Sequence, residues 1–309
     1  MKILVTGATG FVGKTLLPLL TEKGHEIIIL TRDINSAQVR VPVVCKIIEW
    51  DPVKPLSHIE DNIDIVINLC GENVASGRWT PKRKQAINNS RILATRNLIH
   101  YFRKTSYPIK AWISASAIGI YENSIVSDES APSGKGFLAK ICKDWEEENF
   151  KARGLNIRTI AFRIGIVLGF DGGAMKKMLP VFKLGLGGNV SSGNQWMSWI
   201  HVRDLAGLIV EAINNPSFEG PVNAVSPNPV TNREFTSTLA GILKRPAFFP
   251  IPGWILKLLL GEMSQLLLNS QIISTDLPKI WGYKFIYPQL KNALKIICDQ
   301  AGHTLAVEQ

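Results

Sequence analysis

Residues Thr6-Gly7-Ala8-Thr9-Gly10-Phe11-Val12-Gly13 have the types and spacing to hold a phosphate. Glycines at 7, 10 and 13 permit a tight turn, close approach of backbone to a pyrophosphate, and close packing of a helix on a strand. A helix that starts here presents unpaired N–H groups and the positive end of its dipole to the anion. The turn sits between an apolar run and a helical pattern, the context that a dinucleotide site requires. The next strand ends Ile29-Leu30-Thr31-Arg32-Asp33. An acidic side chain at that end would hold a ribose 2′-hydroxyl, and an Arg suits a 2′-phosphate. Arg32, with Thr31 beside it, favours NADP(H); Asp33 one step on keeps NAD(H) as the alternative.

A second candidate is Arg91. Ile87, Ala94, Leu98 and Phe102 form one helical stripe, and Arg91 falls inside it, four residues after Ile87. A cation directed inward needs a partner; the readings are cofactor phosphate, an ion pair, or a snorkelling side chain. Trp199-Ile200-His201-Val202-Arg203-Asp204 is a third candidate. His201 reads as a hydrogen-bonded structural residue and Asp204 as a helix cap, with a substrate-side role as the competing account. Arg163 fits an ion pair or a substrate contact equally well.

The elements that must position these residues alternate. Ile3–Thr6, Ile27–Thr31, Val43–Glu49, Ile63–Leu69, Trp112–Ala115 and Ile157–Phe162 read as strands, several apolar at consecutive positions as in a parallel sheet covered on both faces. Helical patterns occupy Lys14–Lys23, Thr80–Arg103 and Phe137–Arg153, with Thr80-Pro81 a capped start. The pattern predicts an α/β, Rossmann-type doubly wound parallel sheet. Residues 165–193 contain eight glycines and read as ligand-approaching loops. Regular pattern returns at Trp199–Asn214, and a mainly helical segment follows from Thr231. The expected organisation is a Rossmann domain over 1–168, glycine-rich substrate-side loops over 169–198, a return to the sheet over 199–230, and a smaller helical C-terminal lobe over 231–309.

The chain has 309 residues, 46% hydrophobic and 19% charged, enough for a large core and unlike a disordered or disulfide-built protein. Cys45, Cys70, Cys142 and Cys298 form no CxxC pair, so no metal site is read, and a reducing, cytoplasmic setting is expected. The +10 charge is local: residues 73–121 hold nine cations and no acid. Without a basic tail, nucleic acid is an unfavoured partner. The apolar stretch 248–273 is interrupted by prolines and charges, so no membrane span is read, leaving a buried or partner-facing helix.

Collinear motifs carry a resemblance: TGATGFVG at 6–13, NLCGE at 68–72, RWTPKRKQAINNSR at 78–91, SASAIG at 114–119, RIGIVLG at 163–169, GGAM at 172–175, LGLGG at 184–188, WIHVRDLAG at 199–207, LLLGEM at 258–263 and GYKFIYPQL at 282–290. Together they resemble the extended short-chain dehydrogenase/reductase superfamily, and within it the atypical epimerase/dehydratase-like branch that also carries the label cell-division-inhibitor SulA-like. The resemblance implies a cofactor site of Gly7, Thr9, Gly10, Phe11, Val12, Gly13, Thr31, Arg32, Leu69, Cys70, Arg91 and Val167. It also implies that Ser116 aligns the oxygen of an unidentified small substrate. Typical members use a Tyr-x-x-x-Lys pair as acid/base, where this chain reads Phe137-Leu138-Ala139-Lys140-Ile141. Only Tyr287 has a Lys four residues on, Lys291, and it lies in the wrong place; a relay between Tyr121 and Lys140 is the other possibility. Two functions follow as expectations: an NADP(H)-dependent epimerase or oxidoreductase with a non-standard acid/base, and a cofactor-binding regulator without catalysis, acting on cell or plastid division through a protein partner or as a homodimer.

Overall fold

The computed structural model describes residues 1–105, 107–123 and 126–307. The last two residues of the expected C-terminal lobe, Glu308 and Gln309, lie outside them. In chain order the first half runs β1 (Lys2–Thr6), α1 (Phe11–Glu22), β2 (Glu26–Thr31), α2 (Ile34–Arg40), β3 (Lys46–Glu49), β4 (Ile65–Asn68), α3 (Pro81–Phe102), β5 (Ala111–Ala117), β6 (Val126–Ser127), α4 (Gly136–Phe150) and β7 (Arg158–Ile164). The second half runs β8 (Ile166–Leu168), α5 (Met175–Lys183), β9 (Trp196–Met197), β10 (Trp199–His201), α6 (Val202–Asn214), β11 (Gly220–Ala224), β12 (Val230–Thr231), α7 (Asn232–Leu243), α8 (Gly253–Leu260), α9 (Gln265–Leu268), β13 (Ile272–Ile273), α10 (Asp276–Ile280) and α11 (Leu290–Val307).

Seven strands form one parallel sheet in the order β11-β7-β5-β4-β1-β2-β3. Consecutive apolar residues serve opposite faces, as a strand period of two requires. Ile3, Val5, Ile27 and Ile29 pack with Leu16, Leu17 and Leu20 of α1 and with Leu205, Leu208 and Ile209 of α6. Leu4, Ile28 and Leu30 pack with Ala94, Leu98 and Phe102 of α3 and with Trp112. Thus the expected doubly wound sheet is present, covered on both sides. The strand order reverses between β1 and β4, and the crevice at that point, at the carboxyl ends of the strands, is where this architecture takes ligands.

The glycine-rich segment departs from the expected loops. It contains β8, parallel to β10, and the helix α5, whose Met175, Leu179 and Phe182 are buried at helical spacing. That helix packs on α7, and α7 on α11, around Trp199 and Phe235. Among the described residues no helix is long and apolar enough to cross a membrane.

Candidate functional site

The loop after β1 is shaped by its glycines. Gly7 has φ +70°, a backbone that disfavours any side chain. A Cβ on it would lie 2.6 Å from the Leu69 carbonyl oxygen, in the loop after β4. A Cβ on Gly13 would lie 2.5 Å from the Ala8 oxygen, so the turn closes against the first turn of α1 only without one. α1 begins at Phe11 with Gly10 as its cap residue and no side-chain cap, and its first turn carries no acid. Its leading N–H groups therefore face the crevice without a side-chain oxygen to satisfy them. This cradle fits a pyrophosphate, and Thr9 and Val12 belong to the same turn.

At the end of β2, Asp33 accepts a hydrogen bond from the Ser36 N–H at 2.9 Å and caps α2. The carboxylate that would have held a ribose hydroxyl is thus engaged by a helix. Arg32 is 69% exposed, with Nη1 3.4 Å from Glu72 Oε1. Thr31 Oγ1 is 3.3 Å from the Asp33 N–H. Glu72 also meets Arg83 at 3.2 Å, so one carboxylate ties the ends of β2, β4 and α3 together.

Arg91 points inward, as its stripe predicts. Its Nη1 donates to the carbonyls of Glu72 and Ile87, both at 3.1 Å, and its guanidinium lies 5.1 Å from the centre of the Trp145 ring. The same group lies against Gly71, where a Cβ would be 3.0 Å from Cζ. No carboxylate forms an ion pair with it among the described residues, and burial pushes its pKa down. Cys70 is beside it, Sγ on Asn68 Oδ1 at 3.0 Å, its thiol held up by burial. Leu69 and Cys70 thus line the loop that meets Gly7. Val167 is in β8; its carbonyl oxygen would be 2.6 Å from a Cβ on Gly173, which would also meet the Phe11 ring at 3.1 Å. Cβ atoms on Gly169 and Gly172 would strike the Phe11 ring at 2.6 and 2.4 Å, so these glycines seat the β8–α5 connection on the cofactor turn.

Ser116, the last residue but one of β5, lies inside a buried polar network. Its hydroxyl donates to Glu146 Oε1 at 2.6 Å, and Glu146 receives Arg163 Nε and Nη2 at 2.9 and 2.8 Å. Arg163 Nη1 donates to the Tyr121 hydroxyl at 2.8 Å, which donates to Asn223 Oδ1 at 2.6 Å. The Asn223 N–H in turn donates to Glu129, whose pKa burial raises. Of the two readings of Arg163 the ion pair holds. Burial pushes the Tyr121 hydroxyl up to about 12. Lys140 lies on the solvent side, paired with Asp144 at 2.7 Å, so a Tyr121–Lys140 relay does not form. Phe137 stacks edgewise on Trp79 at 5.1 Å, with the Lys84 ammonium 5.0 Å above its ring, and Ile141 is buried. No hydrogen bond joins a tyrosine hydroxyl to a lysine among the described residues.

His201 caps α6, its Nδ1 accepting from the Arg203 N–H at 3.2 Å, and it stacks on Tyr287. Burial lowers its pKa to about 4. Asp204 is not the cap; its carboxylate accepts from the N–H groups of Ile286 and Tyr287 at 2.6 and 2.9 Å and anchors the chain returning from α10. The structural account of this pair therefore stands, with the roles exchanged.

Glu146 and Glu72 organise the site and escaped the sequence reading. Glu146 falls seven residues after Ala139 and four after Cys142 on the buried stripe of α4, the same signal that exposed Arg91.

A family model described as NAD dependent epimerase/dehydratase matches residues 3–225, and one described as domain of unknown function (DUF1731) matches 251–297. The chain is 38% identical over 308 residues to "Epimerase family protein SDR39U1 homolog, chloroplastic" of Arabidopsis thaliana, covering 96% of this chain and 86% of that one. It is 37% identical to "Epimerase family protein YfhF" of Bacillus subtilis, covering 97% and 99%. Among solved structures, human epimerase family protein SDR39U1 (isoform2) with NADPH superposes with a TM-score of 0.86 at 33% identity, covering 97% of this chain and 99% of that one.

Proposed function

The chain belongs to the NAD dependent epimerase/dehydratase family, and on that premise we propose that it binds NADP(H) in the crevice between β1 and β4 as an epimerase- or oxidoreductase-like protein of the extended short-chain dehydrogenase type. The observation that carries the cofactor is the pairing of a side-chain-free cradle at Gly7 and Gly13 with Arg32 exposed and Asp33 engaged in a cap. The human relative's structure with NADPH supports it.

In this reading Gly7, Thr9, Gly10, Phe11, Val12 and Gly13 with the N-terminus of α1 hold the pyrophosphate, and Thr31 and Arg32 the 2′-phosphate. Leu69, Cys70 and Val167 line the groove. Arg91, half-buried with its guanidinium against two carbonyls and the Trp145 ring, adds a phosphate contact and fixes the loop after β4. NADP(H) would supply hydride transfer there. The Ser116 hydroxyl donates its hydrogen bond to Glu146, so toward a small-molecule substrate its oxygen is the free acceptor, held in place by the Glu146–Arg163 pair.

A second reading, cofactor binding without catalysis, in a regulator of cell or plastid division, is favoured by Phe137 and Ile141 at the acid/base positions. Mass spectrometry of the small molecules that copurify tests the cofactor: NADP(H) is expected, and its absence together with no binding in titration contradicts the proposal. Restoring the pair with Phe137→Tyr and Ile141→Lys separates the two readings. Turnover of NADPH against a carbonyl and sugar-nucleotide panel, gained by the double variant, shows that a competent pocket remains; no turnover by either protein favours the regulator.

A further inference from the structure

The helix α8 reads Gly-Trp-Ile-Leu-Lys-Leu-Leu-Leu, apolar on every side except Lys257. A helix apolar all round belongs in a core or against lipid, yet Leu256 is its only buried residue. Trp254 and Leu258, four residues apart on one face, are both 68% exposed, and Leu259 is 61% exposed. Phe248 and Phe249, just upstream, are 83% and 57% exposed. The upstream segment is fixed rather than loose: the Phe249 N–H donates to the Gly187 oxygen at 3.2 Å and the Ile251 N–H to the Asn189 oxygen at 2.9 Å. Leu186, 54% exposed, extends the apolar surface from that neighbouring strand of chain.

The charge within this segment has one sign, and the exposed acid that follows it, Glu262, is paired with Lys84. From Phe235 to Gly261 the sequence holds Lys244, Arg245 and Lys257 and no Asp or Glu. All three cations are exposed, and none has a carboxylate partner among the described residues. A second copy seated on this face by its own equivalent stretch would cover these cations with no acid in the stretch to pair with them. Exposed Phe, Trp and Leu flanked by Lys and Arg instead match a lipid interface, where aromatic rings sit at headgroup level and cations meet anionic headgroups. Eight helical residues rise about 12 Å, far short of the roughly 30 Å of a bilayer core, so such a helix can only lie in the interface.

We propose that α8 and the Phe248–Ile251 segment dock this protein onto anionic membrane surfaces, with Phe248, Phe249, Trp254, Leu258 and Leu259 entering the interface and Lys244, Arg245 and Lys257 meeting the headgroups. None of these residues is among those assigned to the cofactor crevice, and the test does not depend on cofactor binding.

The full chain is sedimented with vesicles of phosphatidylcholine, alone or with about 30% phosphatidylserine, at low and high salt. Binding to the anionic vesicles is expected, at least about tenfold weaker on neutral ones and at roughly 0.5 M salt, where charge is screened. The variant Trp254→Glu with Leu258→Glu should lose vesicle binding at least about tenfold with its melting midpoint unchanged, since both side chains are already in solvent. Brominated lipid should quench tryptophan emission in the parent chain and not in Trp254→Phe. Failure to sediment with anionic vesicles at low salt overturns the proposal, as does binding that the double variant leaves intact. A dimer in sedimentation equilibrium that Leu258→Glu dissociates also overturns it, assigning the face to a second copy.

Discussion

Replacing Arg32 by Glu tests the cofactor assignment where it is most specific. The Arg32 side chain is 69% exposed, and its tie to Glu72 is long, at 3.4 Å. Glu72 keeps Arg83 at 3.2 Å, so the loop after β4 stays held when Arg32 changes. A charge-assisted hydrogen bond to phosphate contributes roughly 1.5–3 kcal/mol. Reversing the charge adds repulsion of about 1 kcal/mol per unit charge at 4 Å in a water-like dielectric, rising to about 4 kcal/mol nearer the protein's. For so exposed a side chain the lower end applies, which gives a total near 3 kcal/mol and a loss of about a hundredfold in NADPH affinity. NADH has no 2′-phosphate and should change by less than about threefold. Calorimetric titration of both nucleotides into parent and variant reads the difference, and the NADPH gap should narrow in high salt. Equal weakening of the two nucleotides, or an NADPH loss below about threefold, refutes the assignment of Arg32 to the 2′-phosphate.

The Glu146–Arg163 pair is almost fully buried, so Glu146→Ala should cost about 3–5 kcal/mol by stranding the guanidinium, a fall of roughly 5–8 °C in melting temperature for a chain this long. Glu146→Leu with Arg163→Met should recover at least about half of that loss; strictly additive losses in a denaturant cycle would show that the pair is not coupled. His201, lowered to about 4 by burial, stays neutral in the fold when the unfolded chain takes up a proton. Its contribution is therefore complete above the unfolded value near 6.5 and is lost as pH falls toward 4, on the order of 3 kcal/mol. His201→Asn keeps a cap for α6 and removes the titration, so parent and variant stability curves should converge with falling pH between those limits; parallel curves would place the group elsewhere.

The sheet was legible because its strands are apolar on both faces, and a run such as Ile27-Ile28-Ile29-Leu30 has few other homes than the middle of a covered parallel sheet. The cofactor turn was legible for a related reason: only glycine tolerates the approach of the Leu69 carbonyl to residue 7. Arg91 could be placed because one cation interrupted an apolar stripe. What failed was a reading by composition alone. Eight glycines between 165 and 193 suggested loops, yet those at 169, 172 and 173 pack against Phe11, and the stretch between them and 185 is a helix with Met175, Leu179 and Phe182 on its buried side. Partners far apart in sequence were invisible: nothing near Asp204 announces the backbone of residues 286 and 287, and nothing near Ser116 announces Glu146.

Pairing divides the cations of the basic stretch by role. Nine cations and no acid between residues 73 and 121 could mean a charged surface, but four of them close onto carboxylates from outside the stretch: Arg83 on Glu72, Lys84 on Glu262, Arg96 on Glu148 and Lys110 on Asp64. Those pairs join α3 and the entry to β5 to the rest of the fold, including the turn after α8 through Glu262. Arg78, Lys82, Arg103 and Lys104 are exposed and can be solvated at little cost. Arg91 satisfies neither condition, being half-buried with its charge set against two carbonyls and an indole face. A desolvated guanidinium without a counter-anion is the costly member of the nine. Its place beside Gly71, one loop from the Gly7 cradle, makes a bound phosphate the anion that would compensate it.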